Sequence, residues 1–242
     1  MVPQEQSVKQ TPAVFFTLRF RLRKVGDLQF ISHLDFVRTM HKALVRSRLP
    51  MWYTLGFNPI PKITFAAPLS VGTESECELM DVRMNEPCDP AMAGRSLAAV
   101  LPPQLEVLEC YVPVTKLNTV GYIAYDVRLN YDGCDEAAAR VLSDLLAAPT
   151  LTCRKMGKSG KTKVEKEVNV APMIAAASLS YDSERGELVG RWLLSSSPSA
   201  FLGPHTVVEA LRASSDLLPS GVGLWMSFVR REIYGMDKQV FR

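Results

Sequence analysis

Apolar and polar residues alternate strictly over "VFFTLRFRLR", residues 14–23. Phe16, Leu18, Phe20 and Leu22 share one face, while Phe15, Thr17, Arg19, Arg21 and Arg23 share the other. A period of two is that of a strand with one face buried. After "KVGD" the period changes. In "SHLDFVRTMHKALVRSRLP" the apolar positions Leu34, Val37, Met40 or His41, and Leu44 recur at helical spacing. Arg38, Lys42 and Arg46 form a second stripe, four residues apart, so the predicted helix is amphipathic with a basic edge. Ser32 and Asp35 resemble a capping box with Asp in place of Glu. Pro50 closes the helix.

"GFNPIPKITFAAPL" follows, residues 56–69. Gly56 permits a positive φ, Asn58 before Pro59 is biased to extended geometry, and Pro61 forbids helix. A loop so restricted loses little entropy on ordering and fixes the exit from the basic helix. "KITFAAPL" and "SECELMDVRM" read as strands joined by "SVGTE", "DPAMAGRSLAAVLP" as a short helix and "LEVLECYVPV" as a strand. The order strand, helix, strand, strand, helix, strand is that of a ferredoxin-like split βαβ unit.

A polar break near "TKLNTVG" precedes a second run in the same order. "YIAYDVRLNY" is a strand and "DEAAARVLSDLLAAP" a helix. "TLTCRKMG" and "KTKVEKEVNV" form a hairpin about "KSG". "AAASLSYD" and "ELVGRWLLSS" are a strand pair, "GPHTVVEALRAS" is a helix, and "GLWMSFVRREIYG" is the closing strand. The fold expected is α+β: two tandem ferredoxin-like (βαββαβ) halves, residues 14–116 and 121–236, the second with extra strands, after a disordered tail at 1–13. The repeat is one of architecture, without sequence self-similarity.

Composition adds little until it is mapped. The 242 residues, 47% of them hydrophobic, suffice for one large domain or two small ones. No apolar run is long enough to span a membrane, and the N-terminus lacks the apolar core of a signal peptide, so a cytoplasmic location is expected. Five scattered cysteines without a CxxC pair fit free thiols in a reducing compartment and exclude a zinc or iron–sulfur site by local spacing. The net charge of +3 is modest, but cations concentrate in two stretches, 17–48 and 154–166.

These stretches supply the candidate sites. Arg19, Arg21 and Arg23 stand about 7 Å apart on one strand face, close to the phosphate repeat of an extended nucleic acid, with Phe15 available for stacking. The alternative is cross-strand pairing with Glu78, Asp81 or Glu109. Arg38, Lys42 and Arg46 offer a basic helix edge. Asn58 and Lys62 flank the proline turn as a rigid clamp, or else cap a loop and solvate a strand end. Arg154, Lys155, Lys158, Lys161 and Lys163 form a lysine-rich hairpin of the kind laid on phosphates. That hairpin is not a P-loop, since Gly157 and Gly160 are too close. His33 and His41, eight residues apart on one helix, raise a metal-independent ribonuclease as an alternative. No carboxylate dyad, nucleophile elbow or metal-ligand cluster appears, which weighs against a hydrolase.

The motifs "FISHLD", "GFNP-PK" and "PL-VG-ES", with the close "VRREIYG", resemble the radical-SAM-linked protein family, a bacterial domain of unknown function. Members are often fused to, or encoded beside, a radical SAM protein. The family usually has His between the two prolines, where this chain has Ile60. The resemblance implies a radical SAM partner that carries S-adenosylmethionine and an iron–sulfur cluster, because this chain lacks a CxxxCxxC run and so needs no cofactor of its own. The combined expectation is a module without catalytic activity that recognises RNA, tRNA or rRNA, for that partner. The rivals are the ribonuclease and a protein–protein adaptor.

Overall fold

The computed structural model describes residues 16–159, 162–197 and 200–242. Phe15 and the expected tail lie outside them. The alternating segment forms β1, Phe16–Lys24. Ser32 caps helix α1, His33–Ser47, its hydroxyl accepting from the Asp35 amide at 3.1 Å and donating to the Asp35 carboxylate at 2.7 Å. Such a cap contributes about 1 kcal/mol. The buried stripe of α1 is Phe36, Met40, Ala43 and Leu44. Leu34, expected inside, is exposed.

The proline loop is not simply a turn after the helix. Trp52 to Lys62 forms a hairpin: the Lys62 amide donates to the Trp52 carbonyl at 3.0 Å, and the Thr54 amide to the Ile60 carbonyl at 2.9 Å. Residues 55–60 are its exposed tip. Strands β2, Ile63–Phe65, and β3, Thr73–Met84, follow. The expected strand "KITFAAPL" is thus cut to three residues. Pro68 has no amide to donate, and the lower part of the same β3 edge is taken by the last strand of the chain. Helix α2, Pro90–Ala98, is capped by Asp89, and β4, Leu105–Tyr111, completes the first run.

The second run comprises β5, Val120–Tyr131; α3, Glu136–Ala147; the hairpin β6, Thr152–Ser159, and β7, Thr162–Asn169; β8, Ile174–Asp182; β9, Glu187–Ser197; β10, Ala200–Phe201; α4, Pro204–Ser214; and β11, Leu224–Gly235. Among the described residues nine strands form one mixed sheet, and β6–β7 stand apart from it. The first run has the neighbour order β2-β3-β1-β4 and the second β8-β9-β5-β11. A parallel pairing of β11 with β3 joins them, Phe228↔Thr73 through Arg230↔Ser75.

Side chains show where the layers lie. Glu78 alternates with Met80, Val82 and Met84, which share the first core with Met40 and Leu44 of α1. Arg230 alternates with Phe228, which packs against His205 of α4 at 4.6 Å. Glu78 and Arg230 bond each other at 2.9 Å, both 1% exposed. The helix layers of both runs therefore cover the same side of the sheet. No helix among the described residues is long and apolar enough to cross a membrane.

Candidate binding face

The side of the sheet away from the helices carries most of the polar strand positions. On the first run it is partly roofed. The segment after β4 crosses it, and the chain end folds back from β11, with the Phe241 amide on the Ile233 carbonyl at 2.9 Å and the Thr115 amide on the Arg242 carbonyl at 3.0 Å. Beneath this roof lies Arg19, fully buried. Its guanidinium makes two bonds to Asp81, 2.6 and 2.9 Å, donates to the Thr115 carbonyl at 2.9 Å, and sits 5.2 Å from the Phe241 ring centre. Arg21 pairs with Glu232 at 3.1 Å and Arg23 with Glu106 at 3.8 Å. These contacts close Arg19 off from any phosphate, and its bond to Asp81 is the cross-strand pairing expected as the alternative. Arg19 has no exposed donor, and each of the three has a carboxylate of its own.

Among the described residues, the remaining sequence candidates lie on both sides of the sheet. Met51 and Pro61 are buried on the α1 side, and His41 bonds the Pro61 backbone there. Trp52 and Lys62 alternate with them and face the open side. Arg38, Lys42 and Arg46 are exposed on α1, on the opposite side of the sheet. Arg38 pairs with Asp35 at 3.0 Å, and Arg46 donates to the Val100 carbonyl at 3.0 Å. Asn58 is exposed at the hairpin tip beside Phe57 and Leu55, the former wholly uncovered. Arg154 lies 3.9 Å from Glu165. Lys155, Lys158 and Lys163 are placed on β6 and β7 by their backbone alone, and Lys161 is outside the described residues.

The histidines are held by packing. The His33 ring meets Phe65 edge-on at 5.4 Å, and burial lowers its pKa. Burial also lowers that of His41, opposed by the Pro61 carbonyl.

Sequence reasoning missed the richest part of the open face. A trough of about 510 Å³ runs over β8, β9, β5 and β11, with Arg128, Arg185, Arg191, Arg231, Asp126 and Glu74 among its lining. Asp126 holds two arginines: one oxygen takes Arg191 Nε at 3.0 Å and the other Arg231 Nε at 2.6 Å. Arg231 also reaches Glu76 at 2.6 Å, and the hydrogen bonds it donates to Glu76 and Asp126 raise its pKa. Arg128 donates to Glu187 at 2.8 Å and lies 5.6 Å from the ring centre of Trp225, which is 51% exposed. The first run offers a counterpart: Arg83 lies 5.1 Å from the ring centre of Trp52, with Lys62 across the strand pair. The alternation in "YDVRLN" was a usable signal for Asp126 and Arg128. Their meeting with Arg191 and Arg231 needs three strands distant in sequence.

Residues 17–200 match the model of a family described as "Uncharacterized protein conserved in bacteria (DUF2344)". A comparison with curated proteins finds no match. Among solved structures, the chain is similar to one in "Crystal Structure of a Cbf5-Nop10-Gar1 Complex", at TM-score 0.46 and 11% identity, covering 90% of this chain and 49% of that one. Another is in "Crystal structure of the archaeal box H/ACA sRNP Nop10-Cbf5 complex", at TM-score 0.42 and 10% identity, covering 88% and 46%. The chain spans about half the length of the solved chains it matches.

Proposed function

The chain belongs to the DUF2344 family of uncharacterized proteins conserved in bacteria, and we propose that the helix-free face of its sheet is a platform for single-stranded RNA. The neighbour orders β2-β3-β1-β4 and β8-β9-β5-β11 support reading each run as a ferredoxin-like unit. The single observation that carries the platform is the arginine-backed tryptophan on each run, Trp52 with Arg83 and Trp225 with Arg128, on the side no helix covers. Bases stack on aromatic rings and guanidinium planes without regard to sequence. Lys62 and the arginines of the trough, on the same side of the sheet, are assigned the phosphates of that strand. Arg38, Lys42 and Arg46 of α1, with the lysines of β6–β7, are assigned to another segment of a folded RNA.

Tryptophan fluorescence tests this. Trp192 is buried, so quenching by a single-stranded oligonucleotide reports Trp52 and Trp225. Trp52→Ala and Trp225→Ala are each expected to weaken binding about tenfold, within the range for a lost base stack. Affinity is expected to fall as salt rises. An affinity that ignores both salt and the two substitutions would remove the platform.

The finer assignment is to recognition of RNA, without catalysis by this chain, for a radical SAM protein that supplies the S-adenosylmethionine and the cluster. The motif resemblance supports it. The hairpin tip favours a protein contact as well, since Leu55 and Phe57 are almost wholly exposed on a rigid support. Mixing with a purified radical SAM protein, read by light scattering, is expected to give a complex that Phe57→Ser abolishes. A complex indifferent to Phe57 would exclude the tip.

A further inference from the structure

We propose that the open face of the second run holds a nucleotide subsite, with the base in an alanine-floored depression and the phosphate on Arg191. The depression measures about 350 Å³, and Ala124, Ala176, Ala177, Leu193 and Tyr234 form it. Arg191 and Ser178 line both this depression and the trough beside it, so an apolar hollow and a cationic channel share one rim.

The hollow exists because small residues flank Leu193 on both neighbouring strands. Ala176 stands across from Leu193, and Ala124 across from Leu193 on the other side. A flat ring fits over methyl groups where a larger side chain would fill the space, and Tyr234 supplies an aromatic wall.

Arg191 is prepared for an anion. Its side chain is 70% exposed. It is anchored by Nε on Asp126 at 3.0 Å, and among the described residues no hydrogen bond engages its two terminal nitrogens. A guanidinium held from behind presents a fork that matches phosphate oxygens. The ligand class follows from the pairing of the two halves: a planar ring that stacks on apolar side chains, joined to a phosphate within reach of Arg191. That chemistry is shared by a free nucleotide and by one nucleotide of a strand. The subsite deepens the platform reading and rests on it for the strand source alone.

Calorimetric titration of the full chain with uridine 5′-monophosphate, adenosine 5′-monophosphate and a single-stranded hexauridylate separates the cases. Mononucleotide binding is expected to weaken at least about tenfold in Arg191→Ala, the loss of a charge-assisted bond. It is expected to vanish in Ala176→Phe, which fills the hollow from an exposed position. Arg140→Ala, on the exposed face of α3, is expected to change nothing. If mononucleotides bind as expected and hexauridylate does not, the subsite stands and the platform falls. If hexauridylate binds but neither substitution weakens any ligand, the subsite is overturned and the platform survives. If nothing binds at millimolar concentration, both fall.

Discussion

Glu78→Ala is expected to lower the melting temperature by roughly 10 °C or more, since breaking a buried ion pair costs about 3–5 kcal/mol. Glu78 and Arg230 are each 1% exposed, and Lys24 is buried close by. Lys24 donates to the Leu28 carbonyl at 3.1 Å, and burial lowers its pKa against the pull of Glu78. Without Glu78, two cations remain under the helices with no carboxylate bonded to Arg230. The damage falls on the joint between the runs. Arg230 also donates to the carbonyls of Ala67 and Pro68 at 3.0 and 3.3 Å, and so ties the loop before β3 to β11. Glu78→Gln keeps an acceptor and is expected to cost less. Lys24→Met removes the surplus charge and is expected to cost little. A thermal melt of the three variants checks the order. An Ala variant melting within two or so degrees of the parent would mean that the pair does not hold the seam.

Gly190→Ala is expected to displace β8 and to empty the binding face at once. A Cβ at Gly190 would come 2.0 Å from the Ser178 carbonyl oxygen, where contacts under 3.0 Å essentially never occur. The obstacle is backbone, so no rotamer relieves it. Among the described residues β9 is the one strand bonded to β8 in the sheet, so β8 yields first. The cost is about 3 kcal/mol, the upper part of the range for overpacking. α3 loosens with it, because the Ser143 hydroxyl donates to the Leu179 carbonyl at 2.9 Å. Ser178 and Ala176 leave the walls of the trough and hollow. Amide exchange over residues 174–182 should accelerate, and oligonucleotide binding should weaken in parallel. Protected amides with binding intact would show that the sheet absorbs the methyl group.

Local signals were read well and long-range ones were not. Ser32 and Pro50 mark α1 by chemistry that acts within a few residues. The alternation of β1 put Arg19, Arg21 and Arg23 on one face, and they are there. Cross-strand pairing offered Asp81, which Arg19 does meet, but not Glu232 or Glu106, the partners of Arg21 and Arg23. Asp81 is 62 residues from Arg19, Thr115 is 96, and Glu232 is 211 from Arg21. Half of the roof over Arg19 comes from residues after the last recognised motif, where "MDKQVFR" has no periodicity to announce a segment that folds back on the sheet. β2 looked longer than it is because its apolar content is that of a strand. The edge it would need is filled by β11. The same distance hid the trough, since Asp126, Arg191 and Arg231 come from β5, β9 and β11.

Photo-crosslinking tests most directly whether the helix-free side is the binding side. A short oligonucleotide bearing 4-thiouridine is irradiated with the full chain, and the adducts are located by mass spectrometry. If the platform is correct, they fall on Trp52, Trp225 and Tyr234 and disappear as salt rises. Adducts confined to α1 or to β6–β7, or none at all, would contradict it.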